Sequence, residues 1–456
     1  MDHCENGLKN SMGSIKYNET VGIFLDLVIQ EGGEMNYPTM YSVRQIFDVP
    51  KVDDIEETLT KELDSIQVSS LIKEGARIAI TAGSRGIANI DRVLRHLVHV
   101  LKENSAHPFL IPAMGSHGGG TAEGQLEILE SLKITEESIG APIVSSMEVV
   151  EIGKSRFGFP VLVDKHAAGA DGIVVVNRVK PHTEFEGPIE SGLMKMMAIG
   201  MGKHKGCIQV HKQTINYTYR EVIPEIGRVI LEKLPILFGV ALVENVYDET
   251  ALIQAILPSR FSVEEERLLT EAKRLMARLP FDAIDVLIVD EMGKNISGAG
   301  MDTNVIGRIM FIGEKEPEKP KITRIVVLGL TEESHGNAIG AGLADYTTQR
   351  LADHIDAEAT SINSIAGMSP EKGRTPIPLK TDREAVEAAL DTIGAIDPED
   401  ARVVHIKNTL EIADLHVSEA LLEEVKGRED LKLGEKLGPL SFDSGGNLGP
   451  VQCEVR

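Results

Sequence analysis

The chain has 456 residues, of which 42% are apolar and 26% are charged. This length allows two or three domains with their own cores, and the composition excludes a disordered, collagen-like or coiled-coil protein. Asp and Glu outnumber Lys and Arg by 70 to 47, a formal net charge of −23. A surface this acidic repels phosphate backbones and anionic lipids, so we expect neither nucleic acid nor a membrane as a partner.

The cysteines and the first residues bear on the compartment. The three cysteines, Cys4, Cys207 and Cys453, are far apart and form no CxxC pair, so the sequence supports neither a disulfide framework nor a thiolate zinc site. The first residues lack a basic segment followed by an apolar one, and no apolar run approaches the ~18 residues of a membrane span. We therefore expect a cytoplasmic protein.

The predicted elements alternate between short β-branched strands and amphipathic helices. In chain order they are a strand over 76–81, a helix over 90–101, a strand over 108–112, a helix from the N-cap Thr121 to 132, and strands over 172–179, 284–290 and 325–330. This alternation is typical of βα units. We predict an α/β fold, with two α/β domains that have mostly parallel sheets and an active site in the cleft between them.

The domain boundary is predicted where a helical pattern over 263–279 ends at Pro280 and a new strand follows. This divides the chain into an N-terminal extension (1–20), a catalytic domain (21–279) and a second α/β domain (280–456). A Gly- and Pro-rich segment, 366–378, is predicted to lack regular structure and carries Lys372 and Arg374. It is either a lid or only a connection.

The loops that follow the strands are candidates for a site, because ligands in open α/β sheets bind outside the carboxyl ends of the strands. His117 lies among four glycines, which give its imidazole no apolar partner and let a ligand approach the backbone. His182 follows Pro181 at a stiff strand exit. For each, a loop histidine without a function is an equal alternative. Walker A, GxSxG and HExxH patterns are absent, which disfavours common nucleotide-binding and hydrolase sites.

The segment 192–211 is dense in reactive side chains. Three lysines, Lys195, Lys203 and Lys205, interrupt an apolar, Gly-rich stretch, which favours a buried or ligand-facing role over a solvated face. Four methionines there are more typical of core filler than of a metal site. His204 is most simply a surface residue, whereas His211, 16 residues after Lys195, could bind a divalent metal through neutral imidazole.

These motifs, taken in order, resemble the nickel-dependent lactate racemase family. An arginine at a strand end (Arg85), Gly-Ser-His, Pro-His, a lysine in a Gly-rich stretch and a further histidine follow one another in the family's order. The resemblance is detailed from about Arg85 to His211 and weak through the second domain. It implies a racemase or epimerase of 2-hydroxy acids that uses a nickel-pincer nucleotide, together with the enzymes that make this cofactor as partners.

The resemblance also implies roles for individual residues. Arg85 is similar to the arginine that binds the substrate carboxylate, and His117 and His182 to the two acid/base histidines. Lys195 is similar to the lysine joined to the cofactor, with Lys203 and Lys205 as alternatives, and His211 to the nickel ligand. In the second domain, the segment 301–308 resembles the part that completes carboxylate binding, with Arg308 as its cation.

Two histidines suit this chemistry because the hydroxyl oxygen of the two enantiomers occupies different positions, so a base is needed on each side. The chain has no Trp and 7 Tyr, and 293–304 is polar and built from small residues, so we expect a larger or more polar acid than lactate. The alternatives are a 2-hydroxy acid dehydrogenase with a soluble cofactor, and a non-catalytic α/β protein that binds an anion or a metal.

Overall fold

The computed structural model describes residues 35–84 and 86–453. The predicted extension 1–20 and Arg85 lie outside the described residues. Fifteen strands occur in the described part of the chain: β1 (Thr39–Gln45), β2 (Arg77–Ala82), β3 (His107–Pro112), β4 (Val149–Lys154), β5 (Pro160–Asp164), β6 (Gly172–Arg178), β7 (Ile236–Glu244), β8 (Thr250–Ile256), β9 (Ala283–Met292), β10 (Lys321–Leu330), β11 (Tyr346–Thr348), β12 (Ile377–Leu379), β13 (Val403–Ile406), β14 (Asp414–Ser418) and β15 (Leu431–Pro439).

Helices connect most of these strands. The α-helices are Ile55–Ser65, Val68–Leu71, Ile90–Glu103, Ala122–Ser131, Glu136–Ile139, Lys165–Ala168, Leu193–Lys195, Lys203–Gln213, Tyr219–Lys233, Phe261–Leu275, Thr303–Ile306, Gln349–Asp353, Ala357–Ala366, Asp382–Leu390 and Leu422–Val425. Residues Met196–Gly200 form a π-helix. Short 3₁₀ turns are Gly118–Gly120, Pro258–Arg260, Glu332–Ser334, Ala341–Leu343, Pro370–Gly373, Pro398–Asp400 and Glu419–Leu421.

The first domain is built on a five-stranded sheet in the order β3-β2-β6-β7-β8, in which only β8 is antiparallel to its neighbour. Strands β4 and β5 form a separate hairpin. The helix Ile90–Glu103 shows why the pattern predicts this fold: its buried residues, which include Val93, Leu94, Leu97 and Leu101, follow the helical period and pack on the sheet. The carboxyl ends of β3, β2 and β6 therefore lie side by side.

The second domain is built on an eight-stranded sheet in the order β12-β11-β10-β9-β13-β14-β1-β15. The first five strands are parallel, and the last three alternate in direction. The predicted domain limits need a correction here. Strand β1, assigned above to the first domain, pairs with β14 and β15 of the second sheet. The first described strand thus belongs to the second sheet, and the chain then crosses to the first, a long-range pairing that no local pattern reveals.

The α/β fold with mostly parallel sheets is confirmed. Each predicted strand and helix has a counterpart, and Thr121 caps its helix by accepting a hydrogen bond from the N–H of Gly124. The segment 366–378 was wrongly predicted to lack regular structure, since it holds the 3₁₀ turn Pro370–Gly373 and the start of β12, which pairs in parallel with β11. In the described residues, no helix is both long and apolar enough to cross a membrane.

Candidate active site

A cavity of about 310 Å³ lies between the two domains, at the carboxyl ends of β2, β3 and β6. The second domain closes it with the loops after β9 and β10 and with the turn Pro370–Gly373. Four predicted site residues line this cavity: His117, His182, Lys195 and His211. Residues from three strand ends and from both domains therefore meet at one place, as the strand-end principle predicts.

His117 is carried by a glycine-rich loop after β3. Gly118 has a φ of +66°, and a Cβ there would lie 2.5 Å from the backbone of Gly124, so only glycine fits this turn. The side chain of Ser84, at the end of β2, hydrogen-bonds Nδ1 of His117. Ser84 therefore restricts the orientation of the His117 ring.

A buried hydrogen-bond network also holds the loop that carries His117. The amide of Gln125 donates to the carbonyl oxygens of Gly115 and His117, at 3.1 and 3.3 Å. The Gln125 carbonyl accepts from Lys203, whose ammonium also donates to Pro112 and forms a 3.2 Å ion pair with Asp164. Lys203 is fully buried in this network, and Lys205 is exposed on the helix surface. Neither alternative tether lysine lines the cavity.

His182 is held by backbone contacts on both sides. The backbone N–H of His182 donates to the buried carboxylate of Glu190 at 2.7 Å. The ring Nδ1 of His182 accepts from the backbone N–H of Glu184 at 3.1 Å. When the ring is neutral, its proton must therefore lie on Nε2. Burial and the positive charges of Lys195 and Lys372 hold the pKa of His182 well below its usual range.

Lys195 ends the short helix Leu193–Lys195, which continues as the π-helix Met196–Gly200. The carboxylate of Glu265 caps this helix by accepting from the N–H of Met194 at 3.0 Å. Gly192 is required beside it, because a Cβ there would lie 2.4 Å from Oε1 of Glu265. Burial raises the pKa of Glu265 to about 7. The Lys195 ammonium donates to Ser191 at 3.5 Å and faces the cavity.

His211 and Cys207 lie one turn apart on the helix Lys203–Gln213 and hydrogen-bond each other. Nδ1 of His211 is also hydrogen-bonded to the hydroxyl of Tyr219, which contacts Glu184 in turn. Burial lowers the pKa of His211, but the bond to Cys207 and the charges of Cys207 and Glu184 outweigh it, so this pKa lies above its usual value. Burial raises the pKa of the Cys207 thiol, yet its bond to His211 brings it below its usual value.

The second domain contributes two lysines that the sequence did not single out as site residues. Lys294, after β9, donates to the Gly298 carbonyl at 2.7 Å and to Asn363 at 3.1 Å. Lys372 is 1% exposed and reaches the Thr183 carbonyl and the Glu184 carboxylate, both at 3.5 Å. The loop position of Lys294 after a strand was the available signal. For Lys372, the signal was a lysine in a Gly- and Pro-rich segment.

Arg308 was predicted to bind substrate, and the structure contradicts this. Its guanidinium donates to the Leu343 carbonyl and forms a 3.0 Å ion pair with Asp345, away from the cavity. The segment around it has a different role. Thr303 donates to the Thr183 carbonyl at 2.9 Å and Asn304 to the His182 carbonyl at 3.1 Å. The segment 301–308 therefore supports the His182 loop instead of facing the cavity.

Comparison with protein families matches residues 35–221 to the lactate racemase N-terminal domain. This segment of the chain is therefore similar to the lactate racemase family. The matched segment carries His117, His182, Lys195 and His211, so the match covers the part of the chain that supplies most of the cavity wall.

Solved structures of this fold include the lactate racemase apoprotein from Thermoanaerobacterium thermosaccharolyticum. It is 14% identical, with a TM-score of 0.51, and the match covers 82% of this chain and 99% of that chain. A protein from Thermotoga maritima is 15% identical with a TM-score of 0.48 over 76% of this chain and 93% of that chain. We take only the shared fold from the first. No curated protein matches the chain.

The similarity to the lactate racemase family would imply a nickel-pincer nucleotide, and the side chains in the cavity can be compared with that cofactor. Lys195 offers an amine, and His211 offers an imidazole that Tyr219 orients through Nδ1. The Cys207 thiol lies beside it as a soft neighbour. Within the described ranges, no three His, Cys, Asp or Glu side chains converge as a metal site.

Proposed function

We propose that this protein is a racemase or epimerase that inverts C2 of a 2-hydroxy acid by hydride transfer, with a nickel-pincer nucleotide as its cofactor. The observation that carries the proposal is the placement of His117 and His182. They come from the ends of two different strands and line one cavity together with Lys195 and His211. We place the protein in the cytoplasm, where the cofactor biosynthesis enzymes would load it.

The cofactor would be held by Lys195 and His211. When bound, it supplies an electrophilic carbon that takes hydride from C2 and returns it. Tyr219 orients the His211 ring, and Glu265 fixes the helix that presents Lys195. Both supports are buried, which reduces the freedom of these two side chains and of anything bound to them.

The two histidines would handle the hydroxyl proton. For one enantiomer, His117 takes the proton from the hydroxyl as hydride leaves C2, which gives a planar 2-keto acid. Once hydride has returned on the opposite face, the oxygen takes a proton on the side of His182. In the reverse direction the two histidines exchange roles. Each base positioned in this way contributes about 10²–10⁴-fold to the rate.

Without substrate, the two histidines differ in which ring nitrogen can carry a proton. Ser84 can accept or donate, so His117 can present Nε2 in either protonation state. Neutral His182 presents an N–H, because its Nδ1 accepts from Glu184. The carboxylate of a bound substrate would raise the pKa of His182 and let it carry a full proton. His182 can carry that second proton, or act as a base through Nε2, only after its bond to the Glu184 N–H is lost.

The test is a protein produced together with the cofactor biosynthesis enzymes. We expect stoichiometric nickel, an added mass on the peptide that contains Lys195, and interconversion of the enantiomers of a 2-hydroxy acid. His117→Ala and His182→Ala should each lower the rate at least ~10²-fold and keep their nickel. The control is His204→Ala, an exposed histidine outside the cavity wall. Net oxidation with a soluble cofactor, or binding without turnover, would refute the proposal.

A further inference from the structure

The charges that line the cavity are strongly unbalanced. The chain carries a net charge of −23, yet the cavity wall is cationic. Its acidic side chain, among the described residues, is Glu184, and its basic side chains, apart from the histidines, are Arg178, Lys180, Lys195, Lys294 and Lys372. A concave site of one sign in a protein of the other concentrates ligands of opposite charge. The cavity therefore favours a ligand with more than one negative group.

Lys372 differs from its neighbours in how little holds its ammonium. Lys294 has two hydrogen bonds of 2.7 and 3.1 Å, and Arg178 is paired with Glu244. Lys372 is as buried as a core residue, but its two polar contacts, to Thr183 and Glu184, are both 3.5 Å long. A buried ammonium has three N–H groups to satisfy, and long contacts compensate poorly for lost water. An anionic oxygen in the cavity would satisfy it.

The backbone of Lys372 is fixed before any ligand arrives. Its carbonyl accepts from the N–H of Gly340 at 2.7 Å, and its N–H donates to Ser369 at 3.2 Å. The turn is packed so closely that a Cβ at Gly342 would lie 2.1 Å from the Glu371 carbonyl. The ammonium also lies 5.8 Å from the centre of the Phe311 ring. Such a lysine is preorganised, so ordering it on binding costs little.

Lys372 is also close to the reacting part of the site. The carbonyl that it contacts belongs to Thr183, the residue after His182. An ammonium here can reach a group attached to the carbon next to C2 while His182 reaches the oxygen on C2. The Glu184 carboxylate is shared with Tyr219 and does not saturate the lysine.

We propose that Lys372 binds a second carboxylate of the substrate, so that the enzyme acts on 2-hydroxy dicarboxylic acids of the malate type. The proposal rests on the racemase function proposed above and adds the substrate class. It assigns specificity to a residue of the second domain, outside the part of the chain that the family match covers.

The test compares two acids of equal chain length. Malate and 2-hydroxybutyrate differ only in a carboxylate that replaces a methyl group. We expect kcat/KM for malate to exceed that for 2-hydroxybutyrate by at least ~10-fold. Lys372→Met should lower this ratio about 10- to 100-fold, the effect of losing a hydrogen bond to a charged group. Lys372→Arg should restore part of the ratio, and Lys432→Met, an exposed lysine on β15, should leave it unchanged.

The outcomes separate this proposal from the function on which it rests. A Lys372→Met variant that lowers kcat/KM equally for both acids, or that loses cofactor mass, would overturn it in favour of a cofactor or structural role. If neither acid turns over, calorimetric titration of the wild-type protein with the same acids decides. If malate binds more tightly than 2-hydroxybutyrate and Lys372→Met abolishes this difference, the result supports the carboxylate site but not the racemase function. Equal affinities for the two acids would refute the carboxylate site.

Discussion

The N–H of Glu184 donates a 3.1 Å hydrogen bond to Nδ1 of His182. This contact places the proton of the neutral ring on Nε2, and it opposes protonation of Nδ1, which cannot accept a bond once it carries a proton. Burial and the nearby lysines act in the same direction on the pKa of His182. This contact is thus a local reason why His117 and His182 differ in protonation before substrate binds.

We predict that His182 is neutral at pH 6.5, where a free histidine is half protonated. Imidazole ¹⁵N shifts of histidine-labelled protein should include a signal from an unprotonated Nδ1 at that pH that is lost in His182→Gln. An imidazolium spectrum for His182 at pH 6.5 would contradict the prediction.

Lys203 should matter for stability and Lys205 should not. Lys203→Met leaves Asp164 as an unpaired buried carboxylate and frees the loop of His117, so the free energy of unfolding should fall by about 3–5 kcal/mol. Lys205→Met, on the exposed face of the same helix, should change it by less than ~0.5 kcal/mol. Urea unfolding of both variants measures the difference, and equal stabilities would be incompatible with the network described here.

Glu265 should make stability depend on pH. The unfolded chain loses this proton near 4.5, whereas burial keeps the pKa of Glu265 at about 7 in the folded protein. Between these values the folded state binds more protons, so its contribution to the free energy of unfolding falls as pH rises and levels off above about 7. The total change is ~3 kcal/mol, since each pH unit is worth ~1.4 kcal/mol.

Glu265→Gln mimics the protonated side chain and still accepts the N–H of Met194. The free energy of unfolding of the variant minus that of wild type should increase from pH 5 to pH 8 by up to ~3 kcal/mol, because only the wild-type side chain loses a proton over this range. Urea unfolding at both pH values gives this gain directly. Parallel pH profiles for the two proteins would show that Glu265 is already ionised at pH 5.

Retention of nickel should depend on His211 and, more weakly, on Tyr219. We expect His211→Ala to lose nickel after cofactor loading, because it removes the imidazole donor. Tyr219→Phe keeps the ring but removes the hydroxyl that holds Nδ1, and should weaken nickel retention about 10- to 100-fold. Elemental analysis after dialysis against a chelator measures both, with His204→Ala as the control. Full nickel in His211→Ala would assign the ligand elsewhere.

Much of the fold could be predicted because it is local. The β-branched runs, the Thr121 cap and the helical period of 90–101 each lie within a few residues. The strand-end principle then brought His117 and His182 to one edge of a sheet. Strand β1 could not be placed this way, because its partners, β14 and β15, lie more than 350 residues away in the chain.

The site could be predicted only where residue type and strand ends agree. Arg308 has the right chemistry, but its guanidinium is used by Asp345 and by backbone carbonyls, which only the folded structure reveals. Lys372 was visible in sequence as part of a lid or a connection. Its burial and its long contacts depend on how the second domain packs against Thr183 and Glu184.

The most direct test of the central claim follows the hydrogen on C2. The holoprotein is incubated in ordinary water with one enantiomer of malate that carries deuterium at C2, and the opposite enantiomer is isolated and weighed by mass spectrometry. Hydride transfer within the site predicts that the new enantiomer forms and keeps its deuterium. A new enantiomer that has exchanged deuterium for solvent hydrogen would contradict the hydride mechanism, and no new enantiomer from malate or any other 2-hydroxy acid would contradict the racemase assignment itself.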